Sequence, residues 1–378
     1  MLASIAGISG TVQKRLIGII CIAVLCVILN LGLWPCHAPK NEVAWLKARN
    51  GLRFGDYGTV MSTRALDGTG SRDTESCSVE IWLQAALTDS SGTIVSFYAP
   101  NHPARFSVHQ SLGDLMVQSG AATWQRLYVD DVFRQVQPVF VTITSGMQGT
   151  AVYVNGTLVK AARQLRLTAG DCTGRLILGD SPLQQDTWSG ELMELAIYRS
   201  ELAAPAVLVH YNAWMKKGRP EAAQKENNVA LYLFDERAGN VVHNHAGLSL
   251  DLAIPDTYTV LDKILLEPFW QEFGMSWGYW KGVLKNVVGF IPLGFCFYAY
   301  FSLICHCRRA APMTVIFGTT VSLTIEVLQG YLPTRQSGTT DLITNTLGTW
   351  IGVLSYRTVI PELAEMLPWL VSAAPPRR

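Results

Sequence analysis

Charge is scarce in this chain. Of 378 residues only 16% are Asp, Glu, Lys or Arg, and 30 basic against 29 acidic side chains leave a formal net charge of +1. A chain so nearly neutral carries no electrostatic footprint for nucleic acid, and no nucleic-acid partner is expected. Cysteine is sparse as well, with 8 residues and no CxxC pair. Cys305-His-Cys307 is a CxC, which alone does not make a metal site, and no metal or cofactor is expected. A small-x-small cleavage site is missing after the first apolar run, and Leu33-Trp-Pro-Cys36 is a poor lipoprotein box. That run therefore reads as an uncleaved anchor and not as a signal peptide. Paired carboxylates of the glycosidase kind are missing too, so glycoside hydrolysis is not supported.

What the chain has instead is apolar surface, at 49% hydrophobic residues, and it is unevenly spread. Residues 15–35 and 283–360 are strongly apolar, whereas 41–258 has the mixed, turn-rich composition of a soluble domain. Crossing a hydrocarbon core takes roughly 20 helical residues at about 1.5 Å each. Four segments approach or reach that length: 15–35, 284–304, 312–332 and 340–360. An aromatic stretch over 261–282, with Phe269, Trp270, Phe273, Trp277, Tyr279 and Trp280, precedes the second. Such rings favour the membrane interface. Basic residues accumulate on the cytoplasmic side of short loops. Lys14, Arg15, Arg308, Arg309, Arg357, Arg377 and Arg378 then put the 1–14 terminus and the 361–378 tail inside, with the large module outside. The expected address is a cytoplasmic (inner) membrane, crossed several times.

Within 41–258 the pattern has period two, as in Ser78-Val-Glu-Ile-Trp82-Leu, Val139-Phe-Val-Thr-Ile-Thr144 and Ala151-Val-Tyr-Val-Asn155-Gly-Thr-Leu-Val159. Asn155-Gly156 between two apolar runs signals a type I′ hairpin, since both central residues must accept positive φ. The fold class expected is mixed: an antiparallel β-sandwich outside the membrane plus a four-helix transmembrane bundle. Trp124, Tyr128, Trp188 and Tyr98 offer rings on which a glycan could stack. The competing reading puts Trp82, Trp188 and Tyr198 in the core, and Trp124 and Tyr128 are the ligand-binding candidates. Asp56, Asp171 and Asp180 are read as turn formers ahead of calcium ligands, and the His243-x-His245 pair as surface. A Cys77–Cys172 disulfide requires an oxidising compartment; a buried free thiol fits as well.

Polar residues inside the apolar half define the second candidate site. Asn286, Glu326, Gln329, Arg335, Asp341 and Asn345 all fall near one end of the expected helices. Glu326 sits about 9 Å inside its helix end; Asp341 and Asn345 are four apart and share a face. A buried carboxylate costs several kcal/mol unless partnered. Two readings follow. In one, Arg335 pairs with Glu326 or Asp341 and the amides complete a lock that fixes helix packing. In the other, the cluster is an outward pocket where Arg335 engages an anionic group and Glu326 exchanges a proton. Gly348 and Gly352 extend the Asp341 stripe as a small-xxx-small face for close helix packing.

Two resemblances add to this reading. Gly51-Leu-Arg-Phe-Gly55, Ser78-Val-Glu-Ile-Trp82, the Asn155-Gly156 hairpin, Leu176-Ile-Leu-Gly179 and Trp188-Ser-Gly190 with Leu195-Ala-Ile-Tyr198 resemble the laminin-G or concanavalin A-like jelly roll. Ala230-Leu-Tyr-Leu-Phe-Asp-Glu236 with Gly239-Asn-Val-Val-His243 resembles the strand that commonly opens that fold, yet here follows the last one. Asn286-Val-Val-Gly-Phe290-Ile-Pro292-Leu-Gly294, Ser322-Leu-Thr-Ile-Glu326-Val-Leu-Gln329, Arg335, and Asp341-Leu-Ile-Thr-Asn345-Thr-Leu-Gly348-Thr-Trp-Ile-Gly352 resemble the VanZ family of bacterial membrane proteins, with the jelly roll inserted in its outer loop. The resemblance implies a cell-envelope role linked to tolerance of glycopeptides such as teicoplanin. The expectation is a non-enzymatic, glycan-binding envelope protein, with membrane lipids, an envelope glycan or lipid-linked precursor, and a second copy of itself as partners. The alternatives are an enzyme acting on a lipid-linked precursor through Glu326, Arg335 and Asp341, and a small permease-like carrier.

Overall fold

The computed structural model describes residues 10–66, 76–100, 106–120, 125–217, 228–247, 250–275 and 277–366. They divide into two compact units, one of residues 38–263 and one that joins 1–37 to 264–378.

The first unit is a sandwich of two antiparallel sheets. One sheet runs β1 (Val43–Trp45), β2 (Leu52–Phe54), β13 (Gly190–Tyr198), β4 (Cys77–Ala85), β9 (Val139–Gly146), β10 (Gly149–Val154), β11 (Thr157–Ala162), with β14 (Asn228–Tyr232) also on β13. The other runs β15 (Val241–Val242), β16 (Leu252–Ala253), β3 (Val60–Ser62), β12 (Arg175–Leu178), β5 (Ser91–Tyr98), β6 (Phe106–Ser111), β7 (Asp114–Ser119), β8 (Arg126–Val129). Alternation does the sorting: Val79, Ile81 and Leu83 of β4 enter the core beside Leu192, Leu195 and Ile197 of β13. Each such side chain, fully buried, contributes about 1.5–3 kcal/mol. Asn155 and Gly156, at φ +52° and +76°, make the tight link between β10 and β11. β14, the strand that resembles a family opener, pairs with β13 over Leu195–Tyr198 while β2 pairs with β13 over Gly190–Leu192. Late and early strands thus share one neighbour. Helix α2 (Ala204–Lys217) covers the outer face of the first sheet through Tyr198, Leu202 and Val207.

The second unit consists of α1 (Gly10–Leu33), a short α3 (Phe269–Glu272), α4 (Trp277–Leu303), α5 (Ala310–Gln329) and α6 (Thr339–Met366). Among the described residues α1, α4 and α5 are long and apolar enough to cross a membrane. Helix α6, the fourth expected span, packs on α4 and α5 but falls short of that hydropathy because Thr, Asn and Asp interrupt it. Those residues are largely satisfied within the bundle: Thr344, Thr346 and Thr349 each donate to the carbonyl four residues earlier, and Thr344, Asn345 and Thr349 are buried. Helix α4 begins at Trp277, within the aromatic stretch over 261–282.

Close approach of α4 and α6 has a clear origin. A side chain at Gly348 would meet the Val287 carbonyl, one at Gly352 the Ile291 carbonyl, and one at Gly294 the backbone of Thr349. Absent β-carbons allow backbone-to-backbone contact, the usual route to tight packing where lipid supplies no hydrophobic contrast.

Candidate functional site

At one end of the bundle the C-terminus of α1, the first turns of α4, the end of α5 and the start of α6 come together. Glu326, 1% exposed, accepts from the Gly338 N–H at 2.9 Å. Thr340 N–H donates to Glu272 of α3 at 2.9 Å, and Thr339 N–H donates to the Glu267 carbonyl at 2.9 Å. Two carboxylates from elsewhere in the unit therefore receive the free N–H groups at the α6 N-terminus, where negative charge is favoured by the helix dipole. Asp341 accepts from Asn286 Nδ2 at 2.7 Å, and Asn345 Nδ2 donates to Ser322 Oγ at 3.0 Å. Burial, and then the neighbouring Glu272, push the Glu267 carboxyl above its ordinary range.

Arg335 is the correction. One of the two readings paired it with Glu326 or Asp341, but its guanidinium donates to the carbonyls of Leu31 and Trp34 at the end of α1. Gln329 Nε2 makes a parallel contact, donating to the Gly32 carbonyl at 2.7 Å. A cation among C-terminal carbonyls is favoured by the same dipole, with opposite sign. The six polar residues named from the sequence gather at one end of the bundle as two sets: Asn286, Glu326, Asp341 and Asn345 around the start of α6, and Gln329 and Arg335 around the end of α1. Glu272 joins the first set unforeseen. Its only signal was a lone acid after Pro268 in an aromatic stretch, the pattern of a helix first turn.

In the sandwich unit the ring candidates separate sharply. Trp124 lies outside the described residues. Tyr128 stands 40% exposed on β8. Tyr98 is no platform: it is buried with its hydroxyl on Asp262. Trp188 is buried and donates to Gln110 Oε1 at 2.8 Å, and Tyr198 is buried under α2. Trp82, read as core, is corrected: it faces α2, its ring 6.1 Å from that of Trp214. Together with Arg49, Asn50 and Asp235 these two indoles line a cavity of about 170 Å³.

Residues 228–360 match the VanZ/LLP1 family model, and residues 56–208 match that of the concanavalin A-like lectin/glucanases superfamily. The chain joins a VanZ-like domain to a concanavalin A-like jelly roll. The two matches run in series along the chain, the VanZ-like one second, which differs from the expected insertion. That match also takes in β14 to β16, whose pairing places them in the jelly roll, and leaves out α1, which packs on α4 and α5. No curated protein matches the chain.

Several solved structures are similar to part of the chain. The receptor binding domain of botulinum neurotoxin C/D mosaic serotype is 16% identical, with a TM-score of 0.36, over 47% of this chain and 46% of that one. A putative carbohydrate binding protein from Bacteroides ovatus is 12% identical, with a TM-score of 0.40, over 55% and 58%. A SAP-like pentraxin from Limulus polyphemus is 15% identical, with a TM-score of 0.35, over 58% and 94%. The match thus spans about half the length of the toxin and Bacteroides chains.

The jelly roll also holds buried chemistry that period-two reading missed. Glu80 of β4 accepts from Tyr198 Oη at 2.9 Å and Thr142 Oγ1 at 3.2 Å, with His210 Nδ1 at 2.9 Å. Glu194 on β13 is 1% exposed, and among the described residues neither of its oxygens has a hydrogen-bond partner. Burial, and then the nearby Glu80, push its carboxyl well up. Both glutamates occupy outward strand positions that look solvent-facing until α2 covers them, and nothing local in the sequence announces that cover. Of the aspartates, Asp171 accepts from Thr168 within its turn. Asp180 is buried among Tyr258 Oη and the N–H groups of Ser181 and Asp186. Cys77 and Cys172 are buried with their sulfurs 2.9 Å apart and unbonded. Asp235, Glu236 and His245 lie close enough to share a cation; His245 already pairs with Asp235 at 3.3 Å and His243 with Glu236 at 3.2 Å.

Proposed function

We propose that this is a bacterial envelope protein in which the VanZ-like bundle holds a glycan-recognising jelly roll on the outer side of the cytoplasmic membrane. The observation that carries the glycan reading is the cavity lined by Trp82 and Trp214. Two indoles with a guanidinium, an amide and a carboxylate in the lining supply the aromatic surface and planar hydrogen-bonding groups that a pyranose ring needs. Its volume is about 170 Å³, below the range of about 300–1,000 Å³ typical of whole ligand sites, so it would take at most a single ring of a longer glycan. Orientation rests on Lys14, Arg15, Arg308, Arg309 and Arg357 at the end of the bundle opposite Glu326. On this reading the termini are cytoplasmic, and the VanZ-like match supports a role for the assembled protein in teicoplanin tolerance or envelope polysaccharide organisation.

The carboxylates of Glu326 and Glu272 on N–H groups at the start of α6, with Arg335 and Gln329 on the carbonyls that end α1, favour a packing lock built on backbone partners, without the Arg335–carboxylate pair, over chemistry on a lipid-linked precursor. The test uses the full chain in detergent against a panel of bacterial envelope glycans. Saturable binding weakened about tenfold by Trp82→Ala, with the melting temperature preserved, supports the cavity. Loss instead in Trp124→Ala,Tyr128→Ala would move the site to the β8 edge. A folded protein that binds no glycan would sink the reading.

A further inference from the structure

The opposite end of the bundle carries a second pocket. Where α4 ends and α5 begins, a cavity of about 410 Å³ is lined by Tyr298, Ser302, His306, Arg308, Ala311 and, from α6, Arg357, and no carboxylate lines it. That volume is within the range of about 300–1,000 Å³ typical of ligand sites. Among the described residues neither arginine meets a carboxylate within 4.0 Å. His306 takes φ +49°, the left-handed turn that ends α4 and holds its ring at the rim. Arg309, at the N-cap of α5, makes no side-chain cap. The positive end of the α5 dipole therefore adds to the arginine charge. Tyr356 packs on Tyr298 and Phe295, which fixes the neighbouring Arg357 beside the α4–α5 turn.

The geometry points to a binding site for the phosphate of an anionic phospholipid headgroup in this pocket, with Arg308 and Arg357 as the phosphate ligands and His306 at the rim. Two candidate membrane spans meet here, so the pocket lies at headgroup depth. Basic pockets between helices at a cytoplasmic face suit such headgroups. Guanidinium groups engage phosphate oxygens in pairs. What favours a lipid over free phosphate is the adjoining surface: Met313 and Ile316 on α5 and Leu303 on α4 are 42%, 65% and 39% exposed, a ready lie for acyl chains. The site is independent of the jelly roll and of the Glu326 end.

The experiment delipidates the full chain in detergent and adds back phosphatidylglycerol, phosphatidylcholine or inorganic phosphate, reading retained lipid by native mass spectrometry and melting temperature. Wild type is expected to retain about tenfold more phosphatidylglycerol than phosphatidylcholine. Arg308→Gln,Arg357→Gln should abolish that preference, and Arg308→Lys,Arg357→Lys should keep part of it. Equal retention of the two lipids, or an unchanged preference in the glutamine variant, overturns the site. A thermal shift with inorganic phosphate as large as that with phosphatidylglycerol overturns the lipid assignment. Should the glutamine variant not fold, the wild-type lipid preference and its loss at high salt decide alone.

Discussion

In the jelly roll Glu80 lies under α2 with His210, Tyr198 and Thr142 as side-chain partners. In the bundle Glu326, equally buried, rests on the Gly338 N–H and the Ser337 hydroxyl. The sandwich satisfies a carboxylate from side chains on three separate elements, while the bundle borrows the free backbone donors of a helix end. The first solution is costly to assemble but tolerates a soluble setting; the second needs no counter-ion and suits a membrane, where an imported cation would itself need desolvating. Arg335 obeys the same economy with the sign reversed, meeting the carbonyl end of α1 instead of a carboxylate.

That contrast is most severely tested at the helix contact itself. Gly348→Leu forces an isobutyl group onto the Val287 carbonyl, and overpacking of this kind costs about 3 kcal/mol or more. The expected outcome is loss of folded protein from the membrane; normal abundance and melting in detergent would refute it. Glu326→Ala comes next. It leaves a buried N–H without an acceptor and a small cavity, for about 2–3 kcal/mol, whereas Glu326→Gln keeps an acceptor and should cost less than about 1 kcal/mol. Equal losses in the two variants, read by thermal unfolding, would mean that the charge itself matters.

Acidity sharpens the sandwich side. Burial pushes the Asp180 carboxyl up to about 7, against the hydrogen bonds from Tyr258, Asp186 and Ser181. The native state then keeps a proton that the unfolded chain releases in the ordinary carboxylate range. Stability contributed by this group is present at low pH and falls as pH rises toward about 7. Melting of the sandwich should drop by several degrees, on the order of 5 °C, between pH 5 and pH 8, and Asp180→Asn should flatten the profile. A wild-type profile that rises over this window would contradict the assignment. The smallest effect is expected from Arg335→Gln. A dipole-facing cation is worth about 0.3–1 kcal/mol, while a buried ion pair broken on one side costs about 3–5 kcal/mol. A loss in the larger range, measured by detergent melting, would restore the pairing with Glu326 or Asp341.

Local chemistry made much of the fold readable. Asn155-Gly156, the alternation of β4 and β9, and the apolar runs of α1, α4 and α5 each rest on a few adjacent residues. Gly348 and Gly352 stand out for their spacing alone. Partners are a different matter. Whether Arg335 meets a carboxylate or a carbonyl depends on where the end of α1, some 300 positions away in sequence, comes to rest. Trp82 alternates with core residues of its strand, and only the placement of α2 turns its face into a cavity wall. Glu272 becomes a cap because Thr340 of α6 approaches it, which nothing in its own neighbourhood specifies.

The two ends of the jelly roll are tied to one another. Lys40 bridges Thr257, the Asn41 N–H donates to the Asp256 carbonyl, and the Tyr258 N–H donates to the Pro39 carbonyl. Paired strands bring such residues within about 5 Å. Entry and exit of the domain therefore form a single stalk. A pull on the two chain ends would load both strands of that stalk together, opening it like a zipper from one end before either sheet is disturbed. The same stalk makes the domain exchangeable: cut there, the flanking chain could be rejoined by a link of a few residues.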